Sequence, residues 1–492
     1  MEEFYKEYLD FFISKIENIL PSNLIFDKKL FIFNIKKFLK REIEKIIAPS
    51  VCWLLWQKRD NLIAKNSKER FKLFVKKYKN SFKNQYPELD LILNKFLKRE
   101  YFFINEIIKK ISENFNYLNK IFSLKNKKLK RIIFINNADR HFKGFRTFFI
   151  DFEGKIIKVK PFDFSYNDFL INIFFSVEKE IFKNFPKYYS IDGWFFSKFI
   201  SYKKEANLKS AKQFYFEIGK LMALSYCFNG VDFHLENIIV HKSRPIILDL
   251  ESFATNFSLF KRNFKNNLYI TGFLERNTKE PPTSAILGGN RKLISLIDPK
   301  IVARNTDRMY IIYKKYSEYK IQNRIFIKGK MVMPRMFKYE IIKGFEDFYL
   351  NVIRNRDKIL NEIVNAKNIK SRVILRKTSF YGILIQHVIQ PINFPLKNLK
   401  LKIKKALKKN SERFLNFRKE NFKDVLGFEL ESIFNLEIPI FWQKIDEKNL
   451  YFPGKKVKDF FKKSAKEILI DKIESLSKKD LYQKLVIIKK VL

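Results

Sequence analysis

Three short stretches carry the side-chain types that phosphoryl transfer requires. A strand-like run, KIIKVK, offers Lys158 and Lys160 just before Pro161. A loop, VDFHLEN, holds Asp232, His234 and Asn237, and a second apolar run, IILDLESF, ends in Asp249 and Glu251. The reaction needs a cation near the nucleotide phosphates, a carboxylate to orient and deprotonate the attacking hydroxyl, and oxygen ligands for Mg²⁺. The chain supplies these in order, with Asn237 as a second metal ligand beside Asp249. Asp249 follows Asp232 by 17 positions, a span that a loop and a tight hairpin can fold back into one cleft.

Each stretch also has a plainer reading. Asp232, His234 and Asn237 suit a capped turn after a helix, with Asp and Asn bonding the local backbone. Two of the four histidines, His141 and His234, stand two residues after an aspartate, which favours chemistry over a chance core position. Lys158 and Lys160 would face the same side of a strand, so spacing does not choose between them. Asp249 follows the apolar Ile246, Ile247 and Leu248 and must find a cation or metal there.

The elements that position these residues follow from periodicity. Residues 1–125 read as helical, with Phe31, Ile35, Phe38, Ile43 and Ile46 near one face at 3.6-residue spacing. From residue 131 the texture changes to FRTFFIDF, the turn pair Glu153-Gly154 and KIIKVK, a β-hairpin. In AKQFYFEIGKLMALSYCFNG, Phe214, Ile218, Leu221, Met222 and Ser225 form a helical stripe, and Gly230 is placed to end the helix. NIIV and IILDLESF read as two short buried strands joined through HKSRP. The expected division is a helical region at 1–125, a catalytic core at 126–260 and a mainly helical, Lys-rich part at 261–492.

The chain's 492 residues, 46% hydrophobic and 16% aromatic, exclude bulk disorder. Two cysteines, Cys52 and Cys227, exclude a disulfide framework and a four-cysteine zinc site. No apolar run reaches the roughly 18 residues of a membrane span, and a cytoplasmic protein is expected. The net charge of +47 would attract any polyanion. Its lysines are spread along the whole chain, however, as expected of an AT-rich genome, and no specific nucleic-acid partner is expected.

EIGKLMALSYCFNGVDFHLENIIVHKSRPIILDLESF resembles the core of the dehydratase domain of class II lanthipeptide synthetases, the LanM-type enzymes. NNADRHFKGFRTFFIDFEGKIIKVKP is similar to that family's upstream stretch, which has an Asp-x-His, a glycine and a hairpin running into Lys-Pro. RVILRKTSFYGILI resembles its downstream Arg, Arg, Thr, Tyr motif, while LEIPIFW and KDLYQKLVIIKKVL resemble the end of the domain.

The resemblance implies an α+β fold with a lipid-kinase-like core and extensive helical regions at both ends. It implies that ATP phosphorylates Ser or Thr of a ribosomally made precursor peptide with a leader. Elimination of phosphate then leaves dehydroalanine or dehydrobutyrine. It selects Lys160 over Lys158 for the nucleotide phosphates and assigns Asp232 to the substrate hydroxyl. Asn237 and Asp249 would bind Mg²⁺, helped by Glu251, and His234 would support the loop. Asp139, His141, Arg372 and Thr378 would serve phosphate handling and elimination, an arginine fork being suited to phosphate.

Two departures qualify the match. The chain ends at Leu492, where the family's dehydratase would end, so no cyclase activity is expected; ring closure falls to a separate cyclase or to spontaneous addition. The family's Asp before Ile-Pro is Glu437 here. Rival readings are a lipid-kinase-like or small-molecule kinase without elimination, and a non-catalytic basic polyanion binder.

Overall fold

The computed structural model describes residues 1–21, 25–125, 127–135, 139–162, 165–261, 267–275, 283–288, 293–318, 321–416 and 422–492. Asn136, Asn137 and Ala138 of the NNADRHF stretch lie outside the described residues. The chain begins with helices α1 (Lys6–Ile19), α2 (Lys28–Lys58), α3 (Ser67–Tyr78), α4 (Phe82–Gln85) and α5 (Pro87–Phe122). Asp27 caps α2 by accepting from the Leu30 N–H, and Pro87 opens α5 where a missing N–H does no harm. Phe31, Ile35, Ile43 and Ile46 are buried along α2, while Phe38 is only partly buried. Helix α2 continues through Pro49 as far as Lys58.

Strands β1 (Leu129–Phe134), β2 (Phe148–Phe152), β3 (Lys155–Lys160), β4 (Tyr188–Ile191) and β5 (Trp194–Lys198) form one antiparallel sheet, ordered β1-β2-β3-β5-β4. Helix α6 (Ser165–Val177) lies between β3 and β4 in sequence. The Glu153-Gly154 turn joins β2 to β3, both residues at positive φ. Ile157 and Val159 of β3 point into the core; alternation turns Lys158 and Lys160 to the opposite face.

Helix α7 (Leu208–Cys227) starts with a capping box between Asn207 and Ser210. Its end corrects the role expected of Gly230. The left-handed residue is Asn229 (φ 51°), and the Gly230 N–H reaches back to the Ser225 carbonyl at 2.7 Å. Gly230 is glycine because a Cβ there would lie 2.8 Å from the Phe233 ring and 2.9 Å from Phe253. Strands β6 (Ile238–His241) and β7 (Arg244–Ile247) follow, turned by Lys242 and Ser243, both at positive φ.

The chain continues through β8 (Leu293–Val302), β9 (Tyr310–Glu318), β10 (Phe326–Ile327) and β11 (Lys330–Met331) to helices α8 (Lys338–Arg354) and α9 (Arg356–Asn365). Next come β12 (Lys370–Val373), α10 (Thr378–Val388), α11 (Lys397–Phe414) and α12 (Phe422–Phe434). Strands β13 (Phe441–Lys444), β14 (Leu450–Phe452) and β15 (Lys455–Val457) complete a second sheet with β12, and α13 (Ala465–Ser475) and α14 (Lys478–Val491) end the chain. Strands of three or four residues are too short for alternation alone to mark them. The architecture is α+β.

Two apolar cores hold the elements. The first joins α1, α2 and α5 to the five-stranded sheet and to α10, α11, α12 and the second sheet. The second gathers α6, α7, α8, α9, α13, α14 and the β6–β7 hairpin. Helices α7 and α8 cross in direct backbone contact: a Cβ at Gly219 would strike the Ile341 carbonyl, and one at Gly344 the Phe216 carbonyl. Both cysteines are buried and free. No helix among the described residues is long and apolar enough to cross a membrane.

Candidate active site

The candidate residues gather where the two cores meet. Lys160, at the end of β3, places its Nζ 2.7 Å from Asp249 Oδ2, just past β7. Burial works against the Lys160 ammonium, but Asp249, Tyr188 and Glu251 outweigh it and hold its pKa above the ordinary lysine range. Burial likewise opposes the Asp249 carboxylate, and Lys160 and Lys158 keep it ionised, below the usual carboxylate value. The pair is therefore charged on both sides.

Backbone bonds bring Asp232 to the same place. The Val231 N–H donates to Ser252 O at 3.0 Å and the Leu248 N–H to Asn237 O at 2.9 Å, so the loop after α7 runs beside the segment after β7. Asp232 adopts φ 64°, a left-handed conformation that aspartate tolerates better than most residues. Asp232 is exposed, although surrounding protein partly desolvates its carboxylate. Burial raises its pKa, His234 opposes the rise, and the Asp249 charge adds to it.

His234 and Asn237 shape this loop. The Glu236 N–H donates to His234 Nδ1 at 3.2 Å, which puts the ring proton on Nε2. Asn237 Nδ2 donates to the Asp232 carbonyl at 2.8 Å, leaving Oδ1 lone pairs for another partner. Asp249 Oδ1 accepts from the Glu251 N–H at 3.1 Å. Among the described residues no three His, Cys, Asp or Glu side chains cluster tightly enough to hold a metal by themselves. The oxygen donors Asn237 and Asp249 fit Mg²⁺, a hard ion that takes few protein ligands and fills its shell with phosphate oxygens and water.

The upstream and downstream motifs converge on the same cluster. Arg372 of β12 pairs with Glu251. Burial opposes the Arg372 charge, and Glu251, Asp139 and Asp249 more than restore it. Burial raises the pKa of Asp139, and the charges of Arg372 and Asp232 both reach it. His141 is 3% exposed, and its Nδ1 lies 2.9 Å from the Ile438 carbonyl, which fixes the proton on Nδ1. Burial and then Arg372 push it down to about 3, so the ring is neutral with Nε2 as acceptor.

Thr378 is the first residue of α10 and half-buried. The exposed Lys377 before it extends its charge to Asp232. The motif's second arginine, Arg376, does structural work: it forks onto Glu429 at 2.7 and 2.9 Å and bonds Asn410 and Ser411, while the Tyr381 hydroxyl donates to Glu429 at 2.6 Å. Asp480 of the C-terminal motif accepts from Tyr226 and Tyr349, tying α14 to α7 and α8.

The Asp139-x-His141 segment is fastened from two sides. Arg140 pairs with Glu42 of α2 and, at 3.2 Å, with Glu100 of α5, and Arg146 forks onto Glu100 at 2.8 and 2.7 Å. On the other side the Ile438 N–H donates to Arg140 O at 2.6 Å and the Gly144 N–H to Glu437 Oε1 at 2.8 Å. Glu437 also meets Arg99 at 3.1 Å, yet burial pushes its pKa up to about 7.

Sequence reasoning set Lys158 aside in favour of Lys160 and passed over two further groups. Lys158 Nζ lies 3.4 Å from the Leu248 carbonyl; burial and the Lys160 charge bring its pKa down to about 8. Its shared strand face with Lys160 was the available signal. Tyr188 donates to Leu248 O at 3.1 Å and faces the Lys160–Asp249 pair from β4, and no motif marked it. Nor did any motif mark Lys377.

A family model described as a domain of unknown function (DUF4135) matches residues 86–444, and the chain belongs to that family. The match takes in β3, the Asp232 loop, Asp249 and the Arg372 motif. The lacticin 481/lactococcin biosynthesis protein LcnDR2 of Lactococcus lactis subsp. lactis is 25% identical to this chain over 349 residues, covering 65% of the chain and 33% of that protein. The alignment thus spans about a third of the relative's length. Both findings bear out the resemblance to the dehydratase region of class II lanthipeptide synthetases.

Proposed function

We propose that this protein is a peptide dehydratase of the lanthipeptide type, working through a kinase-like site. The observation that carries the reading is the Lys160–Asp249 contact at 2.7 Å, with Asp232 held beside it and Arg372 on the far side of Glu251. The similarity to a lantibiotic biosynthesis protein supports a ribosomally made precursor peptide as the substrate.

In this reading Lys160 binds the phosphates of ATP, and Asn237 and Asp249 hold Mg²⁺, which offsets phosphate charge. Asp232 accepts the Ser or Thr hydroxyl proton as the oxygen forms its bond to the γ-phosphorus and the bond to ADP breaks. Its raised pKa suits a base that must take up a proton. For elimination, a base removes the Cα proton while the Cβ–O bond breaks and phosphate leaves. The Arg372 guanidinium suits stabilisation of the departing phosphate, and the buried, neutral His141 ring, too weak a base to take the Cα proton itself, fixes the segment that carries Asp139. Asp139 orients Arg372, and Thr378 contributes a hydroxyl from the start of α10.

The test is incubation with ATP, Mg²⁺ and a Ser/Thr-rich precursor peptide encoded beside this gene. Loss of one water per modified residue is expected. Arg372→Ala and Thr378→Ala are expected to accumulate phosphorylated peptide. Absence of both dehydrated and phosphorylated products would overturn the reading, and phosphorylated product alone from the unaltered protein would leave a kinase without elimination.

A further inference from the structure

A cavity of about 250 Å³ lies beside the Arg372–Glu251 pair. Its walls come from residues next in sequence to the candidate catalytic groups. Phe142 and Phe145 follow His141, and Pro161 and Phe162 follow Lys160. Ile440, Phe441 and Trp442 follow the Glu437–Ile438 segment that clamps His141. Arg372, Glu251 and Lys370 form its polar end. Phe142 is 38% exposed, so one wall reaches solvent.

Size and chemistry narrow the occupant. The volume falls below the roughly 300–1,000 Å³ of sites that enclose whole small ligands, and suits one large side chain. The apolar walls reward an apolar group. Most of the polar groups are engaged with one another: Arg372 and Glu251 bond each other, and the Ser371 hydroxyl accepts from Gln443 at 3.1 Å, which leaves the Tyr166 hydroxyl, among the described residues, as an unbonded polar group in the wall. The polar end belongs to the phosphate-handling cluster. A side chain seated here therefore belongs to the molecule whose hydroxyl or phosphate is being handled.

We infer that this cavity is a specificity subsite for an aromatic or branched aliphatic side chain of the peptide residue flanking the Ser or Thr to be modified. The inference rests on the proposed function for the identity of that peptide, while its test reads binding alone. Because its walls hang from the segments that carry Lys160 and His141, occupancy would register the peptide against both.

Fluorescein-labelled hexapeptides containing Phe-Ser, Leu-Ser or Gly-Ser, titrated against the full chain and followed by anisotropy, provide the test. The Phe and Leu peptides are expected to bind at least about tenfold more tightly than the Gly peptide. Ile440→Trp, which fills the cavity, is expected to abolish that preference while leaving ATP affinity unchanged. Phe142→Asp, at the exposed wall, gives a second variant if Ile440→Trp fails to fold. Equal binding of the three peptides, or a preference that survives in a folded cavity variant, would overturn the inference. So would lost ATP affinity with unchanged peptide preference, the result expected of a base pocket. A binding preference without turnover of any peptide would count against the dehydratase reading alone and leave the subsite standing.

Discussion

Lys160 and Asp249, 2.7 Å apart, come from opposite cores, the first from the five-stranded sheet and the second from the segment beyond the β6–β7 hairpin. Breaking such a pair on one side strands the other charge. Lys160→Met is expected to destabilise the protein by about 3–5 kcal/mol and to abolish ATP-dependent modification. Adding Asp249→Asn is expected to restore much of the stability and none of the activity. Urea denaturation of the four proteins in a double-mutant cycle checks this, and strictly additive effects would contradict it.

Lys158 is held against its own folding. Its pKa falls to about 8 in the folded chain, so between pH 8 and its ordinary 10.5 the unfolded state binds more protons and stability rises with pH. Below pH 8 the full penalty applies. Lys158→Met is thus expected to be more stable than the unaltered protein by about 2–3 kcal/mol at pH 7, with the gap closing toward pH 10.5. Weakened ATP binding should accompany it, measured by titration calorimetry.

Glu437 carries the opposite sign. With its pKa raised to about 7, the folded state binds the extra proton, and stability falls as pH climbs from 4.5 to 7. Glu437→Gln keeps an acceptor for the Gly144 N–H without the buried charge. Its stability relative to the unaltered protein should improve by about 2–3 kcal/mol between pH 5 and pH 8. Denaturation midpoints across that range decide it, and a flat difference would rule out a titrating Glu437.

Arg376 and Thr378 stand two residues apart with different expected phenotypes. Arg376→Ala removes a buried fork and leaves Glu429 unpaired, which is expected to cost about 3–5 kcal/mol. Thr378→Ala should stay within about 0.5–1 kcal/mol in stability while losing phosphate elimination. Thermal melts paired with mass spectrometry of the peptide product separate the two.

Much of this arrangement was readable in the sequence because local rules carried it. The Glu153-Gly154 turn set the register that turns Lys158 and Lys160 to one face, and a helix, a loop and a tight hairpin returned Asp249 to Asp232. What failed to show depended on contacts between distant segments. Tyr188 reaches the site only because β4 and β5 close the sheet beyond β3. The different duties of Arg372 and Arg376 depend on Glu251 and Glu429, and spacing within RVILRKT does not distinguish them. Gly230 was read as a helix stop because glycine commonly ends helices, whereas Asn229 takes the left-handed conformation and two aromatic rings demand the glycine.

At the crossing of α7 and α8, Gly219 and Gly344 leave main chain resting on main chain. Interdigitated side chains absorb small shifts by changing rotamers, and the two glycine contacts have no such slack. The separation of α7 from α8 is therefore set by main-chain contact at these two points. Even alanine at either position would prise the helices apart.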